Sequence, residues 1–140
     1  MTGELEHGVY VHVPWCRVRC PYCAFYVVPE RGAPDWRPYV DRVLAERELH
    51  RAAFPGAPST VYLGGGTPSR LPPEALAALI RGLSPVKDAE ITAEANPEDV
   101  DQAWLDGAMA AGVNRLSVGS ASERYRPRSA TFDQRSPSGA

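Results

Sequence analysis

Cys16, Cys20 and Cys23 are the only cysteines among 140 residues, and they stand in the spacing C-x3-C-x2-C. Three thiolates on one short loop can ligate three irons of a four-iron cluster and leave the fourth iron open. An open iron can bind a small molecule, whereas the four-cysteine ligation of electron-transfer clusters exceeds what this chain supplies. Tyr22, just before the last cysteine, offers a ring suited to cover an adenine. Two plainer uses of the thiols compete. One is a disulfide with a spare cysteine, which the odd count and the lack of a secretory leader disfavour. The other is a Cys3His zinc site completed by His12. His12 falls in an apolar run that reads as a strand, where side chains alternate faces, so its imidazole need not point at the loop.

The elements that would position the loop alternate strand and helix. Gly8–Val13 is a short β-branched run directly before the cysteines. Phe25-Tyr26-Val27-Val28 after them reads as extended and packed under the loop. From Asp35 to about Ala53, the apolar residues Trp36, Tyr39, Val40, Val43 and Leu44 recur at helical spacing, with Pro55-Gly56 as the stop. Thr60–Leu63 reads as a second strand, ending in Gly64-Gly65-Gly66-Thr67-Pro68. Pro73 opens a second helix with Leu76, Leu79, Ile80 and Leu83 on one face. Glu90–Glu94 is a third strand. Asp99 is placed to cap a third helix running through Trp104, Ala108 and Met109 to Gly112, and Val113–Val118 is a fourth strand. Strands separated by helices predict βαβ units and a parallel sheet. The cysteines, the glycines and Glu94 each close a strand, so all would meet on the carboxyl edge, where α/β folds place their sites.

The glycine run removes side chains where a ligand must approach the backbone, and its N–H groups can receive a carboxylate. Alone it is more often a tight turn. Glu94 can accept hydrogen bonds from hydroxyls or pair with an ammonium; alone it is more often a solvated strand-end charge. His12 and Asn96 read as structural residues.

The string Tyr10-Val11-His12-Val13-Pro14-Trp15-Cys16-Arg17-Val18-Arg19-Cys20-Pro21-Tyr22-Cys23 resembles the radical S-adenosylmethionine (SAM) superfamily. Within it the string looks like the oxygen-independent coproporphyrinogen III oxidase family, and its heme-chaperone branch in particular. The resemblance implies an α/β fold, the N-terminal part of a partial (β/α)6 TIM-like barrel, with about four βα units present. It implies a [4Fe-4S] cluster on Cys16, Cys20 and Cys23, and SAM contacts from Tyr10, Tyr22, Gly65, Gly66, Thr67 and Glu94. The family's electron donor is a flavodoxin or ferredoxin, and reduction of the cluster cleaves SAM to a 5′-deoxyadenosyl radical. In the oxidase branch that radical decarboxylates the propionates of coproporphyrinogen, and a further cysteine follows two residues after the third. Phe25 stands there, and with Arg17, Arg19 and Pro21 it favours the branch that binds heme and passes it to an acceptor protein. Ala24 replaces a common aspartate. Outside the family, a small zinc- or cluster-binding module without SAM chemistry is the alternative.

Hydrophobic content of 44%, charged content of 23% and a net charge of −2 fit one soluble domain, with no basic block for nucleic acid. The acidic, polar start predicts no signal peptide, no stretch is apolar enough for a membrane span, and reduced thiols then predict the cytoplasm. The resemblance covers about residues 8–119, so residues 1–119 are expected to form the N-terminal portion of a radical SAM core. Residues 120–140 carry a Ser/Arg/Pro bias that predicts a disordered tail outside the family. Ala121 stands where the family has a SAM-holding glutamine. A truncated or frameshifted product without turnover of its own is the expectation that follows.

Overall fold

In the computed structural model, which describes residues 6–17, 24, 26–30 and 32–119, the expected strands form one parallel sheet. β1 (Gly8–Val13), β2 (Thr60–Gly65), β3 (Glu90–Ala95) and β4 (Arg115–Val118) lie side by side in sequence order. They are joined by α1 (Trp36–Leu49), α2 (Pro73–Leu83) and α3 (Gln102–Ala111), with α2 packed between the other two.

Register decides which residues share a face. Val11 pairs with Leu63, Leu63 with Ala93, and Ala93 with Leu116, so one apolar row crosses the sheet. That row and its neighbours Val13, Val61 and Ile91 form the core with Leu76, Leu79, Ile80 and Leu83 of α2 and Trp104 and Ala108 of α3. Each Val, Leu or Ile side chain among them taken out of water contributes about 1.5–3 kcal/mol. Alternation sends Tyr10, His12, Tyr62, Glu94, Arg115 and Ser117 to the opposite face.

Five expectations shift. α1 ends at Leu49 rather than near Ala53, because His50–Phe54 turn back on the helix end and Arg47 donates to the carbonyls of Phe54 and Gly56. β2 runs two residues past Leu63, since Gly64 and Gly65 keep pairing with His12 and Val13. β4 starts at Arg115 rather than Val113: the Asn114 side chain takes up the Ala89 carbonyl and the Ile91 N–H, an edge that a strand residue would leave to backbone. Asp99 does not cap α3. The cap is Asp101, whose carboxylate accepts from Trp104 N at 2.7 Å, while Asp99 lies in a 3₁₀ turn over Pro97–Asp99. β3 runs one residue past Glu94, to Ala95, whereas α3 passes through Trp104, Ala108 and Met109 to its left-handed Gly112 stop (φ 114°) as expected.

Of the segment expected to pack beneath the cysteines, Phe25 lies outside the described residues, Val27 is buried and Tyr26 faces solvent. Val28–Pro29 forms a short parallel ladder with Trp15–Cys16. The bonds Val28 N–H to Pro14 O and Glu30 N–H to Cys16 O, both 2.7 Å, draw the outgoing and returning arms of the loop together. Residues 120–140, read as a tail, and Ala121 within them lie outside the described residues, as do Cys20, Cys23 and Tyr22.

Candidate functional site

The carboxyl edge gathers the three motifs. Pro14 ends β1, and Cys16 follows on the short ladder, partly exposed. Thr67, just past β2, is buried, and its hydroxyl donates to Cys16 Sγ at 3.3 Å. A residue expected from the family to touch SAM thus also touches the first cysteine. Gly66 makes this approach possible: a Cβ there would lie 2.7 Å from Pro14 O and 2.8 Å from Trp15 O, while its N–H donates to Val13 O at 2.7 Å. Any side chain would push the two strand ends apart.

Gly65 adopts φ 109°, and a Cβ would meet the His12 ring at 2.5 Å. Its N–H donates to Glu94 Oε2 at 3.2 Å, and Tyr62 donates to Glu94 Oε1 at 2.8 Å. Glu94 is therefore a held carboxylate, aimed across the polar face, not a freely solvated strand end. The Tyr62 phenol is pushed above its usual range, first by that hydrogen bond and then by burial. Tyr62 was missed by sequence reasoning, although strict alternation with Glu94 on neighbouring strands was the available signal.

Tyr10 stacks beside Tyr62, with ring centroids 6.1 Å apart, and remains 57% exposed. Burial of its phenol and then the nearby Glu94 charge raise its pKa. His12 is fully engaged. Nε2 donates to the Tyr26 carbonyl at 2.7 Å, since a carbonyl oxygen only accepts, and Nδ1 lies 3.1 Å from the Tyr10 hydroxyl. That arrangement uses both ring nitrogens, so His12 is not presented as a zinc ligand and serves, as expected, in structure. Asn96 likewise works through its backbone, donating to Ser69 Oγ at 2.9 Å. A cavity of about 620 Å³ runs along β1; its walls include Tyr10 and His12 of this site together with His7, Tyr39 and Phe54, but neither Cys16 nor Glu94.

The described part of this edge suits a cluster thiolate at Cys16; Cys20 and Cys23 lie outside the described residues. Cys16 is partly exposed, carries a hydroxyl donor on its sulfur, and sits where the closed base of the loop meets the glycine turn. Four parallel strands with helices on one face and polar groups gathered on the carboxyl edge define the class: an α/β protein of the kind that places ligand sites at that edge. Residues 10–131 match the Radical SAM superfamily, and the chain belongs to that superfamily.

Similar proteins agree. The chain is 39% identical over 117 residues to the heme chaperone HemW of Escherichia coli, covering 80% of this chain and 31% of that protein. It is 40% identical over 127 residues to heme chaperone HemW of Mycobacterium tuberculosis H37Rv, covering 85% and 32%. The solved structure of coproporphyrinogen III oxidase (HemN) from E. coli, described as a radical SAM enzyme, superposes with a TM-score of 0.72 at 29% identity, over 94% of this chain and 31% of that one. The chain thus spans about a third of the length of these relatives. The expected resemblance to the coproporphyrinogen oxidase-like group and to the N-terminal part of its fold is borne out. The superfamily match also runs past Gly119, where the resemblance was expected to end. No helix among the described residues is long and apolar enough to cross a membrane.

Proposed function

We propose that this chain carries the cluster- and SAM-binding part of a heme chaperone of the HemW type. The observation that carries the reading is the meeting of Cys16, Thr67 and Glu94 on one sheet edge, reached from three separate strands. Cys16, Cys20 and Cys23 would hold a [4Fe-4S] cluster. Tyr22, Tyr10, Gly65, Gly66, Thr67 and Glu94 would surround SAM. When bound, the cluster and SAM would supply the one-electron chemistry.

The chain's own part is orientation. Gly65 N–H and the Tyr62 hydroxyl hold the Glu94 carboxylate ready for a ribose hydroxyl or an ammonium. Thr67 holds the Cys16 sulfur, and a hydrogen bond to a ligating sulfur is one of the levers on cluster potential. No residue here is assigned a catalytic role. The partners in this reading are heme or a porphyrin, an acceptor protein for heme, and a flavodoxin or ferredoxin as reductant, all in the cytoplasm. Residues 1–119 would be the core portion and 120–140 a tail.

The second reading is oxygen-independent coproporphyrinogen III oxidation, supported by the superposition on the E. coli oxidase. Phe25, in the place of that branch's additional cysteine, speaks against it. Adding heme, or coproporphyrinogen with SAM and a reductant, to an anaerobically reconstituted full-length relative with phenylalanine at the Phe25 position divides the two, because this chain spans about a third of such proteins. A heme Soret shift without decarboxylation supports the chaperone reading, and carbon dioxide release from coproporphyrinogen overturns it.

A further inference from the structure

Asp99, freed from the helix cap by Asp101, has gone elsewhere. Its side chain is 4% exposed, and Oδ1 receives Arg17 Nη2 at 3.0 Å and Arg70 Nη1 at 3.5 Å. Oδ2 accepts from Ser69 Oγ at 3.2 Å, and Ser69 Oγ in turn accepts the Asn96 N–H. Arg70, itself 10% exposed, turns its other nitrogen, Nη2, to the carbonyls of Glu30 at 3.1 Å and Gly32 at 2.5 Å. Its backbone N–H is bonded to the Thr67 carbonyl, so the same residue is tied to the group that touches Cys16.

The connectivity is specific. Arg17 follows Cys16 on the outgoing arm of the cysteine loop, and Glu30 and Gly32 lie on the returning arm. Asp99 and Arg70 come from the turns after β3 and β2. One buried carboxylate and two guanidiniums therefore join both arms to the sheet edge. Burying such a cluster costs desolvation that well-packed apolar residues would avoid, so a buried ion network is weak evidence for stability and better understood as fixing one geometry. Arginine suits the role because its rigid fork engages a carboxylate and two carbonyls at once, which a lysine ammonium cannot match.

We propose that Asp99 and Arg70 are positioning residues, a clamp that fixes both arms of the cysteine loop and sets where Cys16 stands before any cluster or SAM binds. The proposal rests on the reading of this loop as the cluster site. The test is arranged to separate the two, because it begins on the metal-free chain.

Hydrogen–deuterium exchange of the full 140-residue chain reports on the Val28 and Glu30 amides, which close the loop base. Asp99→Asn and Arg70→Met are expected to speed exchange there by about tenfold or more, leaving Val61 and Leu63 in β2 unchanged. Unchanged exchange at Val28 and Glu30 in both variants overturns the clamp. If the β2 amides speed up equally, Arg17→Met decides, because that side chain is 48% exposed and its loss threatens folding least. Selective acceleration in that variant, reversed in Arg17→Lys, supports the clamp, and no acceleration overturns it. After anaerobic reconstitution, the electron paramagnetic resonance change on adding SAM is expected to weaken in Arg70→Met, and an unaltered change contradicts the proposal. A wild-type chain that takes up no iron would refute the cluster reading while leaving the exchange result to stand by itself.

Discussion

On the helix-covered face of the sheet, Val11, Val13, Val61, Leu63, Ile91 and Ala93 meet the apolar stripes of α2 and α3. On the opposite face the same four strands carry Tyr10, His12, Tyr62, Glu94, Arg115 and Ser117. A parallel sheet is ordinarily covered on both sides and reads as continuous apolar strands. These strands alternate instead, because one face holds the fold while the other is left for a ligand near the carboxyl edge. Changes on the first face should therefore move stability, and changes on the second should move binding.

The largest expected effect breaks the apolar face. Leu63→Ala, at a fully buried position, should cost about 2–5 kcal/mol in chemical denaturation; less than about 1 kcal/mol would mean that the core does not run through β2. Gly66→Ala tests the seam between fold and site. With a Cβ forced to within 2.7 Å of Pro14 O, it should lose about 1–3 kcal/mol and weaken cluster retention, and a neutral result would contradict the close approach of the strand ends.

Glu94→Gln sharpens the contrast from the polar face. A glutamine can still accept from Tyr62, so melting should fall by no more than about 1 kcal/mol, while SAM affinity measured by calorimetry should drop about tenfold or more. Equal SAM affinity would remove Glu94 from the site. The smallest effect concerns alkaline pH. Tyr39, bonded to the His12 carbonyl, has its phenol pushed well above the usual range, first by burial and then by the neighbouring Tyr10. The folded state then holds a proton that the unfolded chain releases, so this contribution is intact below about pH 10 and is lost as pH rises through the folded value. Tyr39→Phe should flatten the decline in stability above pH 10, and an unchanged slope would contradict the assignment.

Much of the fold was legible because it is local. β1, β2 and β3 announce themselves as short apolar runs, and Pro73 and Gly112 bracket helices by their backbone chemistry. The site was legible as three strand-end motifs, and the sheet brings Thr67 to Cys16 and Gly65 to Glu94. What escaped depends on partners far along the chain. Asp99 and Asp101 are equally good caps by type, and only the arrival of Arg17, 82 residues away, and of Arg70 separates their roles. Asn114 belongs to a strand by position until its side chain pairs with Ala89 and Ile91. The glycines were read as room for a ligand, and spacing alone does not show that at Gly65 and Gly66 the missing side chains also admit the His12 ring and the Pro14–Trp15 backbone.

The central claim is that the edge bearing Cys16 holds a cluster. Anaerobic iron and sulfide quantitation on the reconstituted chain tests it most directly, alongside the combined Cys16→Ala, Cys20→Ala and Cys23→Ala variant. The account predicts about four irons and four sulfides per chain, lost in the triple variant. Zinc in place of iron, or no metal in a chain that remains folded, would contradict it.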